Sequence, residues 1–358
     1  MSKRILIMAG GTGGHIFPGL AIADEMTQKG WQVLWLGTAE RMEADIVPKA
    51  GYPIEFIKIK GVRNKSKLAK LGAPLMVLNA IWQARAVIKT FKPDLVVGFG
   101  GYVALPGGLA AWLSRIPLVI HEQNAAVGLT NRILSRFAKK VLVAFGGFEQ
   151  LKSKVITVGN PLRAQIQVLP EPNAVKPISI LVVGGSLGAQ ALNQAVPNAL
   201  KQFDSSSFKV LHQAGKAQAD TTQASYQQTQ VEHKVVEFID DMATAYQAAD
   251  LVICRAGALT VSEIAAVGRA SILVPLPNAV DDHQTFNAKV LVEANAAVLM
   301  PQAKLIEGEL VQQLTDFLNS PEKLKTMAQA CSTVAALDAR QNIGKLLVQL
   351  EQGKDENE

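Results

Sequence analysis

Cysteine is scarce in this chain: its 358 residues include only Cys254 and Cys331, and no C-x-x-C pair. A disulfide framework and a thiolate metal site are therefore not expected. Long apolar runs are also missing, because no stretch reaches the roughly 18 residues that a membrane-spanning helix requires. The apolar segment after Lys3 and Arg4 is too short for a signal peptide. These absences favour a soluble intracellular protein.

Acidic residues are absent from positions 56 to 93, which hold nine basic residues, although the net charge of the whole chain is only +6. Apolar residues at helical spacing, tryptophan among them, lie within this basic segment, as is typical of contact with an anionic membrane surface. The candidate insertion residues are Leu71, Leu75, Leu78 and Trp82, and the basic rim includes Lys67, Lys70, Lys139 and Lys140. The alternative is a core helix with a solvated basic edge. No nucleic-acid motif accompanies the segment, so no nucleic-acid partner is expected.

Glycine is plentiful where short apolar runs end. The run Ile5–Met8 leads into Gly10, Gly11, Gly13 and Gly14 and then His15. Glycines after a strand let the backbone approach a ligand closely, and a following helix directs free N–H groups at the same place. The spacing fits neither the dinucleotide fingerprint nor the P-loop. An ordinary turn with an incidental histidine is the alternative.

The second half of the chain repeats this pattern, since residues 178–183 lead into Gly184, Gly185 and Gly188. Two domains are expected from the length, joined near the prolines of residues 159–177. We expect them to cover residues 1–163 and 164–340, followed by a final helix over 341–352 and a frayed tail at 353–358. Strands alternate with helices throughout, the first helix being expected over 19–29 with Pro18 at its start. This α/β pattern predicts parallel sheets with a ligand cleft at their carboxyl ends.

Other polar loops fall at the same ends of predicted strands. Residues 98–102 and 121–124 follow strands of the first half, and residues 255–263 join a strand to a helix in the second. Thr260 and Glu263 have the spacing of a capping box. A carboxylate on the first turn of a helix is equally suited to accept hydrogen bonds from ribose hydroxyls, so both interpretations stay open.

Taken together, these motifs resemble the MurG family, bacterial transferases that move GlcNAc from UDP-GlcNAc to undecaprenyl-pyrophosphoryl-MurNAc-pentapeptide (lipid I) in peptidoglycan synthesis. The resemblance runs nearly end to end and is carried by residues 10–15, 98–102, 121–124, 159–161, 184–186, 238–242, 255–263 and 283–288. It implies the GT-B fold, two Rossmann-like domains facing across a cleft. The first would take the lipid acceptor at the cytoplasmic face of the membrane and the second the nucleotide sugar, with the last helix returning to the first domain.

The resemblance also implies residue roles in binding UDP-GlcNAc. Ser186 corresponds to the diphosphate cradle, Ile239 to a uracil contact through its backbone, and Gln284 to a contact with a GlcNAc hydroxyl. Thr260 and Glu263 correspond to the phosphate and ribose contacts. The remaining donor-site positions are Thr12, Gly13, Gly14, Asn124, Arg163, Ala258, Leu259, Val261 and Ser262. His283 and Leu187 depart from the family pattern.

Glycosyl transfer requires stabilisation of the departing diphosphate and a base for the attacking hydroxyl. The chain has no D-x-D motif, so we expect neither metal nor cofactor, with backbone dipoles and Arg255 or Arg163 stabilising the diphosphate. His15 is the candidate base, because an imidazole accepts protons near neutral pH. Glu122 is the second candidate base. A purely structural His15 is the alternative.

Two other functions compete with glycosyl transfer. Residues 184–188 satisfy the G-x-S-x-G pattern of a serine hydrolase with Ser186 as nucleophile, and Asp240 or Asp250 with His283 would complete a triad. The duplicated domain plan and the N-terminal glycine loop argue against a hydrolase. A non-catalytic subunit that binds sugar nucleotides is the other possibility.

Overall fold

The computed structural model describes residues 2–61, 72–185 and 188–353. The chain divides after Arg163 and again after Ala336 into two units, so that unit 1 contains both ends of the described chain and unit 2 the part between. Each unit is built on one parallel sheet.

In the described residues of unit 1 the sheet has seven strands, and every neighbouring pair is parallel. Its strands are β1 (Arg4–Met8), β2 (Gln32–Gly37), β3 (Ile54–Phe56), β4 (Leu95–Gly98), β5 (Leu118–Glu122), β6 (Lys140–Val143) and β7 (Val155–Thr157), in the order β3-β2-β1-β4-β5-β6-β7. The helices that precede unit 2 are α1 (Gly13–Gln28), α2 (Glu43–Lys49), α3 (Ala73–Phe91), α4 (Gly101–Leu113) and α5 (Leu129–Leu134). The strand order reverses between β1 and β4, where ligands of open α/β sheets usually bind.

The sequence of strand β1 is continuously apolar because both of its faces are buried. Ile5 and Ile7 pack into one core cluster, and Leu6 and Met8 pack into another. Successive side chains of a strand point to opposite faces of the sheet, so a strand covered on both faces has no polar alternation. All four side chains are fully buried.

Unit 2 repeats the plan, and the part of it that the structure describes forms a parallel sheet of six strands. Its strands are β8 (Ile178–Val183), β9 (Phe208–Gln213), β10 (Glu232–Val236), β11 (Leu251–Cys254), β12 (Ala270–Leu273) and β13 (Ala297–Leu299), in the order β10-β9-β8-β11-β12-β13. Its helices are α6 (Gln190–Leu200), α7 (Ala219–Ser225), α8 (Met242–Ala248), α9 (Ala258–Val267), α10 (His283–Glu293), α11 (Gln302–Glu307), α12 (Glu309–Asn319) and α13 (Glu322–Ala330). Here the strand order reverses between β8 and β11.

The final helix, α14 (Ala339–Glu351), packs against α1 in unit 1. Its apolar residues enter the same core cluster as Ile5 and Ile7. At the contact, a Cβ on Gly344 would lie 2.6 Å from Cγ of Glu25, so glycine permits the close approach of the two helices. Arg340 adds an ion pair to Glu25 at 3.4 Å.

The prediction of the first helix was wrong at its start, because α1 begins at Gly13 rather than Gly19 and contains Pro18. Pro18 lies in the second turn, where a proline ring removes the hydrogen bond to the carbonyl of Gly14 and crowds that carbonyl. Pro18 is buried, so packing offsets this cost and the helix extends back to the glycine loop.

Candidate functional site

Three predicted loops of unit 1 meet at the carboxyl edge of its sheet, and glycines permit their contact. A Cβ on Gly100, whose φ is +95°, would lie 3.1 Å from Cε1 of His15. A Cβ on Gly101 would lie 2.3 Å from the carbonyl oxygen of Gly10, too close for any side chain. The loop after β4 is therefore glycine-rich because it packs against the loop after β1.

Glu43 holds the glycine loop after β1 in place through hydrogen bonds. Its buried carboxylate accepts hydrogen bonds from the N–H of Gly11 at 3.0 Å and from the N–H and Oγ1 of Thr38 at 3.1 and 2.7 Å. Sequence reasoning missed this residue. Gly10 is small for a related reason, since a Cβ there would lie 2.5 Å from Oε1 of Glu43.

His15 is held by a chain of side-chain hydrogen bonds that reaches β5. Its Nδ1 lies 3.0 Å from Oε1 of Gln123, and Nε2 of that amide lies 3.0 Å from Nδ1 of His121. Nε2 of His121 lies 2.9 Å from the carbonyl oxygen of Gly159. Burial lowers the pKa of His121 to about 4, so this imidazole is neutral at pH 7.

Glu122, the second candidate base, is buried and organises the loop after β5. Its carboxylate accepts from the N–H and Nδ2 of Asn124 at 3.2 and 3.1 Å, from the N–H of Gly128 at 3.1 Å, and from Nδ2 of Asn131 at 2.9 Å. Four donors on one buried carboxylate match a structural role better than proton transfer. Asn124, a predicted donor-site residue, is thereby held in place.

The other predicted site residues of unit 1 surround the start of α1. Thr12 has extended backbone geometry just before the helix, and its carbonyl accepts from the N–H of His15 at 3.1 Å. Gly13 and Gly14 form the first turn, where N–H groups lack acceptors within the helix. The guanidinium of Arg163 lies 5.5 Å from the ring centroid of Phe17 on α1.

The glycine loop of unit 2 is backed by a buried polar network. A Cβ on Gly188, whose φ is +75°, would lie 2.1 Å from the carbonyl oxygen of Ala214. Nδ2 of Asn193 on α6 donates to that same oxygen at 3.0 Å, and its Oδ1 lies 3.1 Å from Nε2 of His212. Burial lowers the pKa of His212 to about 3. Ser186, the predicted diphosphate contact, lies outside the described residues.

Glu263 lies on α9, and the structure excludes one of its two interpretations, the capping box. The helix begins at Ala258 with Gly257 as its N-cap, and no side chain caps it. The capping-box interpretation is therefore wrong, because Thr260 is already inside the first turn. The hydroxyl of Tyr246 donates to Oε2 of Glu263 at 3.0 Å.

The remaining predicted residues of unit 2 lie in the first turns of α9 and α10 or in the loop after β10. Ala258 and Val261 are buried, so only their backbone could meet a ligand, whereas Leu259 and Ser262 are half-buried. Ile239 is half-buried in the loop between β10 and α8. Oε1 of Gln284 accepts from the N–H of Leu276 at 2.9 Å.

Arg255, considered for diphosphate stabilisation, is already engaged. Its guanidinium donates to the carbonyl oxygens of Val274 and Pro275, each at 3.2 Å, and to Oε1 of Gln302 at 2.7 Å. Burial lowers its pKa. The side chain therefore braces the loop after β12.

Helix α3 carries an unusual face. Leu75, Leu78, Trp82, Arg85 and Lys89 recur at spacings of three and four, so they share one side of the helix. Leu75 is 73% exposed and Trp82 is 65% exposed, while the opposite side buries only small alanines and Ile88. The exposed face excludes the core-helix alternative for these residues. Lys67, Lys70 and Leu71 lie outside the described residues.

Two further predicted rim residues, Lys139 and Lys140, lie at the start of β6 and are half-buried. Nζ of Lys139 donates to the carbonyl of Leu350 at 3.5 Å. Trp112 and Leu113, at the end of α4, are half-exposed, and Trp112 contacts the ring of Phe137. No helix in the described part of the chain is long and apolar enough to cross a membrane.

The chain matches two family models, glycosyltransferase family 28 N-terminal domain over residues 5–143 and C-terminal domain over residues 179–343. It is 50% identical to the UDP-N-acetylglucosamine–N-acetylmuramyl-(pentapeptide) pyrophosphoryl-undecaprenol N-acetylglucosamine transferase of Aeromonas hydrophila, with 100% of both chains covered. The enzyme of that name from Colwellia psychrerythraea is 51% identical, covering 98% of this chain and 93% of the relative.

The crystal structure of Acinetobacter baumannii MurG is 42% identical and superposes with a TM-score of 0.82, covering 97% of this chain and 99% of that one. The predicted α/β fold of the GT-B class, with two Rossmann-like domains, is confirmed. The serine hydrolase and the non-catalytic subunit gain no support from these relatives. The chain therefore belongs to glycosyltransferase family 28, and within that family to the MurG glycosyltransferases.

Proposed function

We propose that this chain transfers GlcNAc from UDP-GlcNAc to the C4 hydroxyl of MurNAc in undecaprenyl-pyrophosphoryl-MurNAc-pentapeptide, with inversion at the anomeric carbon, as a step of peptidoglycan synthesis. Unit 1 takes the lipid-linked acceptor and unit 2 binds the nucleotide sugar. The printed names of full-length relatives at 50% and 51% identity support the reaction. Our assignment of the chemistry rests on a contrast between the two candidate bases: Gln123 orients the imidazole of His15 through one ring nitrogen, whereas four donors already occupy the carboxylate of Glu122.

His15 acts as the general base in this proposal. As the acceptor oxygen bonds to the anomeric carbon, its proton passes to Nε2 of His15. The bond from that carbon to the phosphate oxygen breaks, and the electron pair leaves with UDP. Thr12, Gly13 and Gly14 border this imidazole and supply backbone N–H groups, which suit an anionic phosphate at the helix start.

In unit 2, Glu263 receives the ribose. Its Oε2 accepts from Tyr246 at 3.0 Å, so the carboxylate is oriented before a ligand arrives. The start of α6 and the glycines before it receive the diphosphate, and the backbone at Ile239 receives the uracil. Gln284 contacts a GlcNAc hydroxyl. We also assign contacts with the nucleotide sugar to Asn124 and Arg163.

The variant His15→Ala tests the base. It should lower kcat by about 10² to 10⁴, the usual contribution of general base catalysis, while leaving the Kd for UDP unchanged. Asp94→Ala is the matched control, because Asp94 accepts from the N–H of Arg4 at 2.8 Å at the other end of the same sheet. That variant should lose stability but keep kcat. Wild-type kcat in His15→Ala would refute the role of base, and a parallel loss of UDP affinity would place His15 on the donor side.

We further propose that unit 1 docks on the anionic cytoplasmic surface of the membrane through the exposed face of α3. A lipid-linked acceptor stays in the bilayer, so the enzyme has to come to the surface. Leu75, Leu78 and Trp82 supply apolar insertion, and Arg85 and Lys89 continue the same face with positive charge. Each basic residue near anionic lipid contributes about 1 kcal/mol and is screened by salt, whereas apolar insertion resists salt.

Sedimentation with anionic vesicles tests this surface. Leu75→Ser/Trp82→Ser should remove the salt-resistant part of binding, and Arg85→Glu/Lys89→Glu the salt-sensitive part. Ile306→Ser is the matched control, because Ile306 of unit 2 is 65% exposed, the same fraction as Trp82. If neither double variant reduces binding at low salt, α3 is not the docking surface.

A further inference from the structure

The amide of Gln123 can adopt only one orientation in the hydrogen-bond chain that reaches His15. Its Nε2 lies 3.0 Å from the carbonyl oxygen of His121 and 3.0 Å from Nδ1 of the same residue. A carbonyl oxygen only accepts hydrogen bonds, so the NH₂ group of the amide must face His121. The oxygen Oε1 is then the atom that faces His15.

This orientation fixes where the ring proton of His15 lies. Oε1 of Gln123 only accepts, so Nδ1 of His15, 3.0 Å away, must be the donor. In the neutral ring Nδ1 therefore carries the proton, and Nε2 carries the lone pair.

The contact of His121 at the other end of the hydrogen-bond chain leads independently to the same orientation of the Gln123 amide. Nε2 of His121 lies 2.9 Å from the carbonyl oxygen of Gly159, which again can only accept. The proton of His121 is therefore on Nε2, and its Nδ1 accepts from the amide of Gln123. Because the pKa of His121 is about 4, its imidazole stays neutral throughout the neutral pH range.

We propose that Gln123 is a positioning residue that, backed by His121, holds His15 in the tautomer whose Nε2 is free to take the proton of the acceptor hydroxyl. This inference rests on the proposed role of His15 as the base. The backbone of Gln123 is fixed separately, because Nδ2 of Asn160 donates to its carbonyl oxygen at 3.1 Å.

An amide in this position has a chemical consequence that a carboxylate would not have. When Nε2 takes the proton, the imidazolium keeps donating from Nδ1 to a neutral oxygen, which cannot accept the proton itself. The positive charge therefore stays on the ring of His15 until solvent or product removes the proton.

The tautomer can be measured directly in the full-length chain with ¹⁵N-labelled histidine. Two-bond ¹H–¹⁵N correlations distinguish a protonated from an unprotonated ring nitrogen, and the variant His15→Gln identifies the signals of His15 among the five histidines. At pH 8 we expect His15 with the proton on Nδ1 and His121 with the proton on Nε2. A wild-type His15 with its proton on Nε2 would overturn the inference, whatever the activity of any variant.

Kinetics supply the second readout. Gln123→Met preserves size and removes the amide, so kcat should fall by about 10- to 100-fold, as for other groups that orient a functional histidine, with the KM for UDP-GlcNAc unchanged. Gln123→Glu restores the acceptor and should recover part of kcat. It should also move the acidic limb of the kcat/KM profile to higher pH, because a carboxylate stabilises the imidazolium.

These outcomes separate the inference from the function on which it rests. Unchanged kcat in a folded Gln123→Met, together with an inactive His15→Ala, would refute the positioning role of Gln123 and leave the role of His15 as the base intact. An active His15→Ala would refute the role of His15 as the general base, whatever tautomer the spectra show. Asp94→Ala controls for loss of stability within unit 1.

Discussion

Acid should destabilise both units through two buried histidines. His121 in unit 1 and His212 in unit 2 are fully buried, and burial lowers their pKa values from the ordinary 6.5 to about 4 and about 3. Both are neutral in the folded chain, and both would take up a proton in the unfolded chain as the pH falls below 6.5. Lowering the pH from 8 to 5 is therefore the informative perturbation.

The magnitude follows from these pKa values. Between pH 6.5 and the folded pKa the unfolded state binds more protons, so the free energy of unfolding falls as the pH falls. At pH 5 each histidine removes about 2 kcal/mol of stability relative to pH 8. For a unit of this size that loss corresponds to a decrease in Tm of roughly 4 to 8 °C.

Scanning calorimetry at pH 8, 6.5 and 5 measures this loss, and the histidine Cε1 proton signals report protonation separately. The signals of His121 and His212 should stay at their neutral positions down to pH 5 while Tm falls. A Tm that is flat or rising between pH 6.5 and 5 would refute the reasoning, as would titration of either histidine with an ordinary midpoint.

Two further predictions concern carboxylates. Glu43→Gln leaves a backbone or hydroxyl donor facing an NH₂ group, so it should lower stability by about 1 to 3 kcal/mol in thermal denaturation; an unchanged Tm would mean that the glycine loop needs no anchor. Glu263→Gln should weaken UDP binding by roughly 1.5 to 3 kcal/mol in calorimetry, and Tyr246→Phe by about 0.5 to 1.5 kcal/mol. If Tyr246→Phe lowers Tm and leaves the Kd unchanged, the tyrosine supports the fold and not the ligand.

The sequence was sufficient to predict the architecture because that architecture depends on local rules. Strands such as β1 and β8 are buried on both faces and read as continuous apolar runs, and the glycines that follow them mark sharp turns into helices. Strands alternating with helices admit few topologies besides parallel sheets. Comparable rules placed His15 and Glu263 at the carboxyl edges of the two sheets.

Sequence analysis missed residues whose hydrogen-bond partners are distant in the sequence. Glu43 reads as an ordinary first-turn acid of a short helix, and only the tertiary contact with Gly11 shows its role. Gln123 stands in a polar motif in which roles were predicted for Glu122 and Asn124, although the amide of Gln123 is the group that reaches His15. Pro18 was given too much weight as a helix boundary, because a buried proline is kept inside a helix when packing offsets its cost.

The return of α14 to unit 1 bears on how the chain is made. Residues 164–336 are contiguous and can fold as soon as they leave the ribosome, whereas unit 1 lacks a core helix until residues 339–351 emerge. That helix packs against α1, whose first turns carry His15. The unit to which we assign proton transfer is thus the first to be synthesised and the last to be completed. A chain truncated near residue 336 would keep a whole unit 2 while leaving unit 1 without the helix that packs behind His15.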